Sequence, residues 1–237
     1  MFRVSRRDLR AARERDPAAR TVAEVVLTYP GVHAVWGHRV NHWLWTHGLR
    51  LPARIGSALV RFLTGVEIHP GARLGPGFFI DHGAGVVIGE TAVVGADVTI
   101  FHGVTLGGTS SASGKRHPNV GDRVTIGAGA KVLGAIDIGH DSRIGANAVV
   151  VRDVPSNSVV VGVPGQVIAR SRPRTADSGV DLDPVVPDLV GASLQSLLSR
   201  VDSLEVTLTG GSTAAGAARG DSGPSIDGVW RGDDFSI

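Results

Sequence analysis

An aliphatic residue recurs at every sixth position through the middle of this chain. The series runs Ile68, Leu74 and Ile80, then, after two extra residues, Ile88, Val94, Ile100 and Leu106. A polar stretch, GGTSSASGKRHPN, intervenes, and the count resumes at Val120, Ile126, Val132, Ile138, Ile144 and Val150. Strands repeat every two residues and helices about every 3.6, so neither alone makes this pattern. A coil with three flat faces does: each hexad supplies one face and one corner, and about eighteen residues close a turn. The aliphatic side chains then point inward and stack on their equivalents one turn away, burying a column that no single repeat could bury. Glycine often follows, as at Gly75, Gly89, Gly95 and Gly107, where a corner needs unusual backbone angles or close approach. Asp97 and Asn147 suit corners for a related reason. A β-sandwich predicts irregular spacing and alternating runs, and a collagen-like chain needs glycine at every third position. The expected fold is mainly β: a parallel β-helix over 67–170, with an excursion loop at about 108–119.

The flanks differ from the coil in charge. Residues 1–66 hold eleven arginines against four carboxylates, whereas 171–237 hold five arginines against ten. A basic head invites a nucleic-acid reading, but its arginines follow a helical pattern without interleaved aromatics or a recognition motif. A solvated helix face accounts for them. The head reads as an α-helical domain: a charged segment from Asp8 to Arg15, a new start at Asp16-Pro17, and apolar residues at helical spacing from Ala18 to Leu27. Further helices are expected from Val32 to Trp45 and from Pro52 to about Thr64. In the tail, 171–225 reads as linker, one short helix over Val190 to Leu204, and low-complexity sequence. The last residues, IDGVWRGDDFSI, place apolar anchors in an acidic setting, as a docking peptide would. The chain has no cysteine, which excludes disulfides, a thiolate nucleophile and thiolate metal ligands. No apolar core follows the N-terminal arginines and no stretch is apolar enough to span a membrane, so the expected compartment is the cytoplasm.

Two places interrupt the regular stack, and both carry side chains able to do chemistry. His82 lies in IDHGAGVVIGE, where the two extra residues can aim it outward; histidine is the first candidate for a base. Glu67 lies about one turn earlier, where a displaced corner lets it orient that imidazole. Arg116 and His117 lie in the polar excursion, with Lys115 beside them. Arginine offers a planar fork for a carboxylate, and loops on rigid scaffolds are where binding residues concentrate. His38 and His42 share a helix face, but no third ligand accompanies them, so ordinary helix-surface or interface roles account for them better than metal binding. Two chemistries fit the coil: an acyltransferase with His82 as base, or a metalloenzyme using His82, His102 and His117 across subunits. A purely structural coil leaves the two interruptions without a purpose.

Several segments together resemble serine O-acetyltransferases. They are DPAAR at 16–20, YPGVHAVWGHRVNHWLW at 29–45, TGVEIHPGARLG at 64–75, FFIDHGAGVVIGETAVVG at 78–95, FHGVTLGGT at 101–109, GKRHPNVGDRVTIGAGAKVLG at 114–134 and DVPSNSVVVGVPG at 153–165. The resemblance implies a left-handed coil and acetyl transfer from acetyl-CoA, a co-substrate, to the L-serine hydroxyl within a ternary complex, the first step of cysteine synthesis from serine. No metal and no tightly bound cofactor are implied. His82 takes the place of the general base and Glu67 of its orienting carboxylate, a position where many relatives carry Asp. Asp16 and Asp81 match residues around the serine amino group and hydroxyl, and Arg116 and His117 match those on its carboxylate. Gly107, Gly108 and Ala128 match the acetyl-CoA cleft. The resemblance further implies a homotrimer or hexamer, and docking to O-acetylserine sulfhydrylase through the terminal Ile237.

Overall fold

The structure, a computed structural model, describes residues 2–170, 198–201, 203 and 204. Four helices form the head: α1 (Phe2–Arg15), α2 (Val22–Thr28), α3 (Pro30–Thr46) and α4 (Arg50–Thr64). The head departs from expectation at Asp16-Pro17, which is a turn. The Asp16 carboxylate accepts from the Ala18 amide at 2.8 Å, so it caps that turn and starts no helix. The next helix begins at Thr21. Its hydroxyl accepts from the Glu24 amide while the Glu24 carboxylate accepts from the Thr21 amide, a reciprocal capping box. Proline opens α3 at its first turn, and Gly65 ends α4 in the left-handed region.

Beyond Gly65 the chain winds into three parallel sheets. The first stacks β1 (Glu67–Ile68), β4 (Val87–Ile88), β7 (Thr105–Gly107), β10 (Lys131–Leu133) and β13 (Val149–Val150). The second holds β2 (Arg73–Leu74), β5 (Val93–Val94), β8 (Asn119–Val120) and β11 (Asp137–Ile138). The third runs β3 (Phe79–Ile80), β6 (Thr99–Ile100), β9 (Thr125–Ile126), β12 (Arg143–Ile144), β14 (Ser158–Val161) and β15 (Gln166–Arg170), the last pair antiparallel. This is a left-handed parallel β-helix with an N-terminal helical domain. Register locates the two irregularities. Val87 pairs with Thr105, an offset of 18, but Glu67 pairs with Val87, an offset of 20, and Thr105 with Lys131, an offset of 26. The two added residues fall at the His82 corner and the eight added residues in the excursion loop.

The hexad aliphatics are buried, all but the partly buried Leu74, and they form one continuous core. A second inward residue stands two positions before most of them: Val66, Ala72, Phe78, Val86, Ala92, Val98, Val104, Val124, Ala130 and Ala148. Each fully buried aliphatic contributes about 1.5–3 kcal/mol relative to exposure. Two of the three corners carry residues in the left-handed region, Asp97, Arg123, Asp141 and Asn157 on one and Asn147 among glycines on the other. The corner roles expected of Asp97 and Asn147 therefore hold.

The head docks on the start of the coil. Phe79 joins Ala11, Ala12, Val25 and Val32 in a second core. A side chain at Gly31 would meet the Ile80 carbonyl oxygen at 2.1 Å, so glycine lets α3 lie against that strand. Arg39 grips the buried Asp8 through two hydrogen bonds of 2.8 and 2.9 Å and reaches the carbonyls of Leu74 and Gly75; Asp8 in turn accepts from the Gly77 amide. Residues 198–201, 203 and 204 are helical, within the stretch where a short helix was expected, and are described by themselves. Ile237 and the expected docking peptide lie outside the described residues.

Candidate active site

The two extra residues of the first complete turn leave His82 with φ 58°, in the left-handed region, followed by Gly83 and Gly85 with positive φ. A histidine there costs more than a glycine, and such strain gathers at functional sites. The backbone turns the imidazole outward: its side chain is 76% exposed. Its Nε2 lies 3.9 Å from Asp81 Oδ1, and its ring meets that of His102 edge-on, with centroids 6.1 Å apart.

Asp16 reaches the same corner from the head. Its second oxygen accepts a 2.5 Å hydrogen bond from the Tyr29 hydroxyl. Burial pushes the Asp81 carboxyl above its ordinary value; His82 opposes this and the neighbouring Asp16 carboxylate adds to it. Burial, together with the Asp16 hydrogen bond and charge, pushes the Tyr29 hydroxyl up to about 12. The corner thus presents two carboxylates and an exposed imidazole, suited to an ammonium group beside a hydroxyl that must lose a proton.

A second cluster stands at the opposite edge of the first sheet. Arg116 Nη2 donates to Glu90 at 2.6 Å, and the buried His117 packs under the loop with Nδ1 2.8 Å from the Thr91 hydroxyl. Lys115 donates to the Thr91 carbonyl at 2.7 Å. A side chain at Gly89 would overlap the His117 ring, so glycine makes room for it. Burial, then the Arg116 charge, holds the His117 imidazole below its ordinary value. Glu90 and Thr91 were not singled out from the sequence. They were within reach of it: carrying the hexad count across the loop puts Thr91 one turn below His117, the same 26-residue offset that pairs Val93 with Asn119. Tyr29 was likewise missed, because only the fold brings it to this corner; His102, a candidate ligand beside His82 in the metalloenzyme reading, meets that imidazole edge-on.

Glu67 Oε2 lies 3.0 Å from Arg61 Nη1 and, among the described residues, no hydrogen bond joins it to His82. It lines a cavity of about 370 Å³ with His69, Arg54, Arg61 and Phe62. Gly107 ends β7, and Gly108 lies beside the Arg116 backbone. The amides of Gly108 and Ala128 donate to no backbone carbonyl among the described residues. His82 and His102 are neighbours while His117 is tied to Thr91 across the sheet, and among the described residues no three His, Cys, Asp or Glu side chains gather around a metal-sized space.

The coil matches the family model for bacterial transferase hexapeptide (six repeats) over residues 117–152. The serine acetyltransferase of Mycobacterium tuberculosis is 64% identical over 237 residues, covering 100% of both chains. Among solved structures, Neisseria gonorrhoeae serine acetyltransferase in complex with serine is 46% identical with a TM-score of 0.69, covering 71% of this chain and 69% of that one. The Brucella abortus serine acetyltransferase in complex with coenzyme A is also 46% identical, with a TM-score of 0.71, covering 72% of this chain and 68% of that one. With its coil matched and a relative aligned along its whole length, this chain belongs to the serine acetyltransferases of the hexapeptide-repeat family.

Proposed function

We propose that this chain acetylates L-serine with His82 as the base, the observation that carries the reading being an outward imidazole in left-handed backbone beside Asp81 and Asp16. The enzyme transfers acetyl from acetyl-CoA to the serine hydroxyl, giving O-acetyl-L-serine and CoA, and acetyl-CoA is a co-substrate with no tightly held cofactor beside it. In this reading His82 takes the hydroxyl proton as the alkoxide attacks the thioester carbonyl. The tetrahedral intermediate then breaks its carbon–sulfur bond, and the imidazolium returns the proton to the departing thiolate. Amides near Gly107 and Gly108 face the developing oxyanion, and Ala128 lies along the pantetheine arm. Asp16 and Asp81 attract the serine ammonium, while Arg116 and His117 hold its carboxylate. Glu67 orients His82. In the single chain Glu67 is committed to Arg61, so this service requires exchanging that partner.

The assembly we propose is a homotrimer or a hexamer. The His82 corner and the Arg116 cluster stand at opposite edges of one sheet, so a second copy laid against that sheet would bring the two kinds of pole together. Helix α4 supports self-association too: Leu51, Ile55, Leu59 and Phe62 form an exposed apolar stripe, Phe62 being 85% exposed. We also propose that Ile237 docks in the active site of O-acetylserine sulfhydrylase. Deleting Ile237 should abolish co-sedimentation with that enzyme and spare acetylation; unchanged co-sedimentation rejects the docking. Cytoplasm is the compartment we propose, because acetyl-CoA is polyanionic and does not cross a bilayer unaided. Thiol release from acetyl-CoA, measured with L-serine, L-homoserine and amino sugars, tests the substrate; release without dependence on serine contradicts the reading.

A further inference from the structure

We propose that Thr91 is a positioning residue that locks His117 as the neutral Nε2–H tautomer, so that the excursion loop meets the substrate carboxylate with one cation and one neutral donor. This rests on the reading that Arg116 and His117 hold serine.

The hydrogen bonds around Thr91 leave one consistent arrangement of protons. The Thr91 amide lies 3.2 Å from His117 Nδ1, and an amide can only donate, so Nδ1 carries no proton. The Thr91 hydroxyl oxygen accepts from the amides of Arg116 at 3.1 Å and His117 at 3.2 Å. Both its lone pairs are then used, and its own proton points to Nδ1 at 2.8 Å. Two donors converge on Nδ1 and the ring proton is left on Nε2. Arg116 and Lys115 are the cations facing His117 and Glu90 the anion, with His69 nearby. A neutral ring avoids a third positive charge there, in keeping with its depressed proton affinity. Through its carbonyl Thr91 also holds Lys115, so one residue fixes three consecutive loop residues. Glycine at 89 and 108 keeps the Nε2 side uncrowded: a side chain at Gly89 would stand 2.0 Å from Nε2 and one at Gly108 3.4 Å.

Nitrogen-15 NMR of the full-length enzyme reads the tautomer, with His117→Ala identifying the signal. The expected result is an Nε2–H ring at neutral pH in the wild type. In Thr91→Val the ring should protonate at higher pH, because one donor to Nδ1 is gone. The KM for serine should rise about tenfold, with kcat within about twofold, since the loop loses hydrogen bonds that matter for binding. Thr91→Ser, which keeps the hydroxyl, should restore both readings. An Nδ1–H or protonated ring in the wild type, or a spectrum unmoved in Thr91→Val, overturns the lock. If the spectra behave as expected but neither Thr91→Val nor His117→Ala moves the serine KM, the serine assignment of His117 fails and the role of Thr91 in binding falls with it.

Discussion

The guanidinium of Arg116 and the carboxylate of Glu90 lie 2.6 Å apart, so the cation assigned to the serine carboxylate is already tethered by a neighbouring strand end. The Arg116 hydrogen bond holds the Glu90 carboxyl below its ordinary value. Its folded pKa is depressed, so the tether is intact above the ordinary carboxylate range and is lost as pH falls through the depressed value. Glu90 keeps 35% of its side chain exposed, and solvent screening limits what the pair is worth. Glu90→Gln should raise the serine KM about threefold and leave kcat nearly unchanged. Steady-state kinetics with serine as the varied substrate checks this.

Tyr29 is the only tyrosine in the chain, which makes its link to Asp16 directly measurable. Its hydroxyl is pushed up to about 12 by burial and by Asp16. A raised pKa contributes stability that is complete below the ordinary value near 10 and lost as pH rises through about 12. Phenolate absorbance of the folded enzyme should therefore appear near pH 12. Titration near 10, with circular dichroism still native, contradicts the link. Tyr29→Phe should raise the serine KM several-fold by leaving Asp16 less well held.

His38 is buried, with Nδ1 unpartnered, and burial lowers its pKa to about 3. A depressed histidine contributes stability above its unfolded value near 6.5 that is lost as pH falls toward the folded value. Between neutral pH and about pH 5 the loss is about 2 kcal/mol. Denaturant titrations at the two pH values should show this in the wild type and much less of it in His38→Gln.

The Asp8–Arg39 pair fastens α1 and α3 to the coil, and its side chains are 1% and 12% exposed. Arg39→Met strands a buried carboxylate and the loss should reach about 3–5 kcal/mol. Differential scanning calorimetry should show the head melting earlier while the coil keeps its own transition.

The coil was legible because its period is rigid. Ile68 through Val150 announce one inward position in each hexad, and register returned the two-residue and eight-residue insertions where the sequence breaks. The second inward ring, Val66 to Ala148, was overlooked because valine and alanine also occupy outward positions. In the head, Thr21 and Glu24 carried a legible cap, whereas the hydrogen bond between Asp16 and Tyr29 joins residues thirteen apart in sequence and was not legible. The site was legible where a side chain sits on an irregularity, as His82, Arg116 and His117 do. Tyr29 acts through a tertiary neighbour that a linear period does not reveal, whereas Glu90 and Thr91 fall one turn below Arg116 and His117 once the count is carried across the loop. Glu67 stands between the two cases: its place on β1 was foreseen, and its pairing with Arg61 was not.

The central claim is that His82 removes the serine hydroxyl proton. Its exposed position means that replacement should leave the coil intact, which circular dichroism can check. The most direct measurement is serine-dependent CoA release by His82→Ala at saturating substrates. A fall in kcat of about 10²–10⁴ with the KM for acetyl-CoA little changed is the predicted result; turnover at the wild-type rate contradicts the account.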